Sequence, residues 1–169
     1  TGSRWILVGS NVTPDGTVGP GLARKFAQSA DGKTFTFELR PDVEFHDGTL
    51  LNAEAVKLSL QRFLDPQLRV PLRAPFDPNL VDSVTAVDPL ILRIALKDTS
   101  RLFLQKLAAT ELAIVSPTHA RTFPDSFNDE PVGTGPYRFK ERRKGESIVL
   151  ERFDRYWSRP PHYPLLQFR

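Results

Sequence analysis

The chain has 169 residues, of which 40% are hydrophobic and 25% charged; this ordinary globular usage excludes a disordered tail and a fibrous repeat. No apolar run approaches the roughly 20 residues that cross a bilayer, and residues 1–5 do not resemble the start of a signal peptide. Cysteine is absent, so disulfides, thiolate metal sites and a cysteine nucleophile are excluded. Methionine is absent as well, and we therefore expect a piece excised from a longer protein.

The basic residues are scattered along the chain, although its formal net charge is +3. The densest basic stretches, residues 140–144 and 152–159, are interleaved with glutamate and aspartate. Alternating signs are typical of solvated strands, whereas a nucleic-acid surface needs basic side chains gathered on one face. We therefore predict no nucleic-acid partner.

The first clear strand follows a turn at residues 31–32. Residues 34–40 alternate apolar with polar side chains, and this period of two places Phe35, Phe37 and Leu39 on one face. We predict a hairpin here.

A His-Asp-Gly turn at residues 46–48 precedes the first predicted helix, and we expect Asp47 to accept hydrogen bonds from nearby backbone amides. Asn52 can cap a helix over residues 53–64, which must end at the Asp-Pro pair 65–66 because proline disfavours a helical residue before it. The predicted buried stripe of this helix consists of Val56, Leu60, Phe63 and Leu64.

The middle of the chain predicts a second hairpin and a second capped helix. Residues 84–87 and 90–96 read as its two strands, with leucine and isoleucine at alternate positions of the second. Ser100 can cap a helix over residues 101–108.

Four shorter elements are predicted towards the C-terminal end. The apolar run 112–115 indicates a buried strand, and Pro117 suits the first turn of a small helix that ends near Phe123. Residues 137–141 and 148–153 alternate like two strands of a hairpin.

Gly133 and Gly135 stand one residue apart, as in some phosphate-binding loops. No G-x-G-x-x-G or Walker pattern continues from them, and a strand follows in place of a helix. We therefore predict a tight turn that leads into a strand.

No arrangement of residues predicts catalysis, a metal site or a cofactor. His46, His119 and His162 lie far apart, outside any metal-binding spacing. Ser116 is in no G-x-S-x-G elbow, and its nearest histidine, His119, belongs to a short helix that would direct the ring elsewhere. We predict that the protein is not an enzyme.

Six short segments occur in an order and at spacings that resemble those of the peptide/nickel-binding receptors, the bacterial extracellular solute-binding proteins of family 5. These segments are residues 20–23 (PGLA), 29–40 (SADGKTFTFELR), 43–48 (VEFHDG), 52–56 (NAEAV), 133–137 (GTGPY) and 156–157 (YW). Each segment is a weak signal alone, but the ordered set covers nearly the whole chain.

The resemblance implies an α+β fold, with an accessory subdomain of hairpins and short helices plus part of the mixed-sheet lobe of a periplasmic-binding-protein-like type II fold. Residues 1–122 would be the accessory subdomain of the first lobe, and residues 123–169 part of its main α/β subdomain. On the same resemblance, we expect the second lobe to be absent from this chain. We expect weak or no ligand binding by this piece alone, because lobe closure buries the ligand in such receptors.

The resemblance also implies a receptor for an ABC importer, which binds peptides or similar small polar solutes and docks on permease subunits. Its location would be periplasmic or extracellular, attached to the cell surface. The alternative is an extracytoplasmic sensor or a protein-interaction module derived from the same fold. Strands whose partners lie elsewhere would leave open edges, so we expect self-association through them.

Two arginines are the candidate ligand-binding residues. Arg69 and Arg73 lie in a proline-rich loop that approaches the cleft in the resembling receptors, and a guanidinium suits a carboxylate or an anionic chelate. Nickel-type receptors carry another arginine on the strand after the second helix. Residues 112–115 read LAIV here, which argues against an anionic nickel chelate as the solute.

Overall fold

The computed structural model describes residues 20–64, 77–108, 112–122 and 129–169. Antiparallel sheets and short helices make up these residues, which confirms the predicted α+β class. Within these four ranges, no helix is long and apolar enough to cross a membrane.

The chain forms two compact units, each assembled from separate stretches of sequence. The first takes its described residues from Thr1–Pro41 and Asn52–Ile114, and the second from Asp42–Leu51 and Val115–Arg169. The short segment Asp42–Leu51 thus belongs with residues far along the chain. The assignment of residues 1–122 to an accessory subdomain and of residues 123–169 to a main α/β subdomain stays a prediction.

The described residues of the first unit form a four-stranded antiparallel sheet with two helices. Its strands follow the order β1-β2-β4-β3. The elements are β1 (Ala23–Gln28), β2 (Thr34–Leu39), α1 (Ala53–Leu64), the 3-10 turn Pro78–Leu80, β3 (Val81–Asp88), β4 (Ile91–Leu96) and α2 (Phe103–Leu107). Both predicted hairpins are confirmed, and β1 is the first strand of the first one.

Alternation along β2 and β4 builds the core of the first unit. Phe35 and Phe37 are buried, while the polar residues between and beside them are half-exposed. In the register, Phe37 pairs with Leu92 and Phe35 with Ile94, so that apolar side chains of two central strands meet on one face. The ring of Phe103 from α2 closes this core, with its centroid 5.1 Å from that of Phe35.

Helix α1 begins where the sequence predicts. The Asn52 side chain accepts a hydrogen bond from the backbone N–H of Ala55 at 2.8 Å, which is the geometry of an N-cap. Val56 and Leu60 are buried as predicted. Phe63 and Leu64 are only half-buried, so the predicted stripe is wrong at its C-terminal end.

Two predictions for the following segments are wrong. Helix α2 covers only Phe103–Leu107, and its N-cap residue Leu102 makes no side-chain cap bond. Ser100 contributes its carbonyl oxygen, which accepts from the N–H of Phe103 at 3.3 Å. The run 112–115 contains buried Leu112 and Ile114 but no strand. Burial without a partner among the described strands leaves this apolar segment outside the described sheets.

The second unit contains a three-stranded antiparallel sheet, ordered β5-β6-β7, and one short helix. Its elements are α3 (Pro117–Thr122), β5 (Tyr137–Arg143), β6 (Ser147–Arg152) and β7 (Leu165–Phe168). The first three were expected from the sequence, and β7 was not. Gly145 forms the β5–β6 turn with a φ of 79°, the left-handed region that favours glycine.

Candidate functional site

The two predicted ligand-binding residues, Arg69 and Arg73, lie outside the described residues. In the sequence they stand between the end of α1 and the 3-10 turn Pro78–Leu80. Their role as ligand-binding residues stays a prediction.

Described residues on either side of that stretch of sequence border an open groove in the first unit. The groove has a volume of about 750 Å³, and both Leu64 and Pro78 line it. Other lining residues are Leu58, Gln61 and Arg62 of α1 and Val81, Asp82, Ser83 and Val84 of β3. Its size is that of pockets that hold small molecules.

Arg62 gives this groove a cationic group that the sequence did not single out. Partial burial lowers the pKa of its guanidinium from the ordinary value, but an arginine remains a cation at neutral pH. Asp82 lies on the facing strand. The only sequence signal for Arg62 is its place in the last turn of α1, where a cation also complements the helix dipole.

In the second unit, His46 joins the His-Asp-Gly turn to the Gly-Thr-Gly turn through both ring nitrogens. Nε2 lies 3.0 Å from the carbonyl oxygen of Gly135, and Nδ1 lies 3.3 Å from the backbone nitrogen of Gly133. Because a carbonyl only accepts and an amide N–H only donates, Nε2 carries the proton and Nδ1 accepts. The imidazole is therefore neutral, and the backbone N–H of His46 donates to the Gly133 carbonyl at 2.9 Å.

Burial keeps the His46 ring in this neutral form. Desolvation is the main cause that lowers the pKa of His46 below its ordinary 6.5, and the charge of Arg138 acts in the same direction. The bond to Gly135 and the charge of Asp47 oppose the shift without reversing it. The Phe153 ring stands edge-on to the imidazole, with 5.1 Å between centroids.

Asp47 connects the same turn to the start of α3. Its Oδ1 accepts the backbone N–H of Thr49 at 3.0 Å and the Thr49 hydroxyl at 2.6 Å, which confirms the predicted turn. Its Oδ2 accepts the hydroxyl of Ser116, and Ser116 Oγ accepts the backbone N–H of His119 at 3.1 Å. Ser116 is thus the N-cap of α3 and a bridge to the turn.

These bonds lower the pKa of the Asp47 carboxyl. Burial alone would raise that pKa, but the hydrogen bonds from Ser116 and Thr49 outweigh it, and the charge of His119 adds to their effect. Asp47 is therefore ionised at neutral pH, beside a neutral His46.

A small cavity of about 160 Å³ adjoins this network within the second unit. Polar side chains of both signs line it. They are His46, Asp47, His119, Glu130 and Arg138, with Pro131, Val132 and Phe139 completing the wall. The described residues include no group of three or more histidine, cysteine or acidic side chains placed to hold a metal ion.

The arrangement around Ser116 differs from that of a hydrolase. A serine nucleophile donates its hydroxyl hydrogen to an imidazole base. Ser116 donates to the Asp47 carboxylate, and what it receives from His119 is a backbone N–H. The Gly-Thr-Gly turn likewise bonds to His46, and β5 begins two residues after Gly135, which confirms a tight turn that leads into a strand.

Comparison with known proteins gives this arrangement a context. A family model described as bacterial extracellular solute-binding proteins, family 5 Middle, matches residues 17–169. The glutathione-binding protein GsiB of Pectobacterium atrosepticum is 37% identical over 137 residues, covering 81% of this chain and 26% of that protein. GsiB of Escherichia coli K12 is 34% identical over the same length. The chain thus spans about a quarter (26%) of the length of the curated relatives that it matches.

Solved structures of much longer proteins contain a similar fold. The periplasmic binding protein AgaA of A. tumefaciens R10, in complex with agropinic acid, has a TM-score of 0.86 and 31% identity over 98% of this chain and 33% of that one. NikA of Brucella suis, in complex with Fe(III)-EDTA, has a TM-score of 0.82 and 33% identity over the same shares. DppA of Helicobacter pylori, in complex with the peptide STSA, has a TM-score of 0.83 and 25% identity, covering 98% of this chain and 36% of DppA. These neighbours have the type II periplasmic-binding fold, as the sequence predicted for this chain.

Proposed function

Because this chain belongs to the bacterial extracellular solute-binding proteins of family 5, we propose that it is part of the first lobe of a receptor that delivers a solute to an ABC importer. The observation that carries the proposal is the family match over residues 17–169, together with relatives that are named as binding proteins. The family consists of solute-binding receptors. The parent protein would bind its solute without covalent chemistry and pass it to permease subunits.

The solute is a peptide or a similarly small polar molecule that carries a carboxylate. Three ligands of similar proteins, glutathione, the peptide STSA and agropinic acid, share that group, and the EDTA bound to NikA is a carboxylate chelator. Arg69 and Arg73 are the residues proposed to receive it, because a guanidinium fits a carboxylate with two parallel hydrogen bonds. The groove lined by Arg62 and Asp82, which Leu64 and Pro78 on either side of that stretch of sequence also line, supports this choice with space.

Calorimetry on the full-length receptor that contains this chain tests the proposal. Titration with a peptide library should find a binder, and Arg69→Ala or Arg73→Ala should weaken its binding by about 1–3 kcal/mol, the range of a charge-assisted hydrogen bond. Arg93→Ala is the matched control, since Arg93 is exposed on β4. Unchanged affinity in both loop variants would remove these arginines from the site. Turnover of any library member would overturn the non-enzyme proposal.

The location and the sensor alternative need separate tests. We propose a receptor attached to the outer face of the cell membrane or held in the periplasm, in keeping with the extracellular family. Cell fractionation with an antibody against the receptor would detect it there. Permease and ATPase genes beside the receptor gene would support import, whereas a kinase or regulator fused downstream would favour a sensor.

Self-association through strand edges is proposed for the chain alone. Among the described strands, β1 is at the edge of the first sheet, and Phe26 on it is 45% exposed. An exposed edge with an apolar side chain can pair with another strand, although the charges of Arg24 and Lys25 oppose this. Light scattering should detect a dimer or larger species, and Phe26→Lys should reduce it. A monomer at all concentrations would contradict the proposal.

A further inference from the structure

His46 connects two distant turns in a way that depends on its protonation state. We propose that His46 is a pH-sensitive switch in the second unit: the neutral ring holds the Gly133–Gly135 turn, and protonation of the ring releases the Gly133 end of that turn. The geometry for this is the pair of bonds from one imidazole to Gly133 N and Gly135 O, which lie 87 and 89 residues away. The proposal goes beyond solute binding and does not depend on it.

Protonation affects the two bonds differently. An imidazolium carries a hydrogen on both ring nitrogens. The Nε2–H bond to the Gly135 carbonyl is retained, but the new Nδ1–H is directed at the N–H of Gly133. Two donors then face each other at a distance of 3.3 Å between nitrogens, and the half-buried N–H of Gly133 loses its acceptor, which is unfavourable. The Gly133 N–H must turn away from the ring, while the Gly133 carbonyl keeps its bond from the backbone N–H of His46.

Neighbouring bonds confine the movement to this turn. On one side, the Val132 carbonyl accepts the N–H of Ser116 at 2.9 Å, and on the other, the Pro136 carbonyl accepts the N–H of Phe153 at 2.8 Å. Neither bond involves a group that titrates near neutrality. We therefore expect a local opening between Val132 and Pro136, with the sheet intact.

The groups that face His46 set the direction of its response. Asp47 on the same turn favours the proton, and Arg138 on β5 disfavours it. The Phe153 ring faces the imidazole, and Arg155 lies over that ring at 5.7 Å from its centroid. His119 and Glu130 line the same small cavity as His46. This cavity also has room for water beside the imidazole ring.

The sign of the pH dependence follows from the depressed pKa of His46. The unfolded chain binds the proton at the ordinary 6.5, before the folded protein does. Stability therefore falls as the pH decreases below about 6.5, and it stops falling below the folded pKa of His46. The neutral ring and the closed turn are the forms present at pH 7 and above.

Nuclear magnetic resonance on the full chain tests the switch directly. Long-range proton–nitrogen spectra should show the Nε2–H tautomer of His46 at pH 7.5. Between the ordinary 6.5 and the folded pKa of His46, hydrogen-exchange protection of the Gly133 amide, corrected for its intrinsic rate, should fall by up to about tenfold per pH unit, and it should level off below the folded pKa. The amides of Ser116 and Phe153 should keep their protection.

Two variants separate the switch from general acid sensitivity. His46→Gln keeps an acceptor and a donor at similar spacing but cannot titrate, so Gly133 protection should lose its pH dependence. His162→Gln is the control, because His162 is exposed, and it should behave like the original chain. If the His46→Gln chain fails to fold, the proposal is still tested in the original chain, by the tautomer of His46 and by the change in Gly133 protection as His46 titrates. An Nδ1–H tautomer, or Gly133 protection that stays constant while His46 titrates, would overturn the proposal.

Discussion

Asp47 Oδ2 accepts the hydroxyl hydrogen bond of Ser116, a residue 69 positions further along the chain. This one bond connects the His-Asp-Gly turn to the residue that immediately precedes α3. Because Ser116 is fully buried, its hydroxyl cannot exchange the bond for one to water without moving. The stability of the second unit should therefore depend on it.

Ser116→Ala should destabilise the second unit by about 1–3 kcal/mol, since it removes a helix cap and a hydrogen bond to a charged group together. Urea unfolding followed by tryptophan fluorescence measures this, because Trp157 lies in that unit. Thr122→Ala is the control: its exposed hydroxyl donates to the Thr118 carbonyl in the same helix, and its effect should stay within about 0.5 kcal/mol. Equal midpoints for both variants would show that the bridge is dispensable.

The part of this network that the sequence could predict is local. Asp47 bonds to Thr49, two residues away, and turn chemistry alone indicates that bond. The bonds of Asp47 to Ser116 and of His46 to Gly133 span 69 and 87 residues. No periodicity or spacing encodes such a separation, so these two pairings could be identified only from the structure.

The same contrast between local and long-range interactions explains which helices and strands could be predicted. Strand β2 and helix α1 carry their own signals, an alternation with period two and an Asn52 cap. Strand β7 exists through its pairing with β6, where Leu166 is opposite Leu150, and its four residues follow a proline-rich stretch without clear alternation. The segment 112–115 shows the converse: it has the apolar pattern of a strand but no partner among the described strands.

Acid should destabilise the second unit through Asp47 as well, in a range below that of His46. The folded pKa of this carboxyl is lower than its ordinary 3.8, so between these two values the unfolded chain binds more protons. The stabilisation is complete above about pH 4 and is lost as the pH falls through the folded value. Asp47→Asn should remove this part of the slope in urea midpoints measured from pH 5 to pH 2.5. A slope that persists unchanged in the variant would assign the acid sensitivity to other carboxyls.

The Asn52 cap should account for a measurable share of the stability of the first unit. Asn52→Ala leaves the Ala55 N–H without its side-chain acceptor and should lower the free energy of unfolding by about 1 kcal/mol. Asn52→Asp is the matched variant, because aspartate caps equally well and its charge suits the helix N-terminus. Thermal unfolding followed by circular dichroism at 222 nm distinguishes the two. Similar losses in both variants would mean that the amide makes a contact of greater importance than the cap.

Two phenylalanines on neighbouring strands should respond very differently to truncation. Phe35 is 1% exposed and packs against Phe103, so Phe35→Ala should cost about 3–5 kcal/mol through lost burial and the cavity left behind. Phe26 on the edge strand is 45% exposed, and Phe26→Ala should cost less than about 1.5 kcal/mol. Urea midpoints of the two variants provide the comparison. If the loss of stability in Phe26→Ala is as large as in Phe35→Ala, the Phe26 side chain is buried in solution.

The β5–β6 turn provides a test of backbone strain that is free of steric contacts. Gly145 has a φ of 79°, and a Cβ added there would meet nothing within 4 Å. Gly145→Ala should therefore cost about 1–2 kcal/mol through the left-handed conformation alone. Gly145→Asn should cost less, because asparagine adopts that conformation more readily than other residues with a side chain. Thermal unfolding of the two variants would give the ranking. If alanine and asparagine destabilise equally, the cost would come from the added side chain and not from the backbone angle.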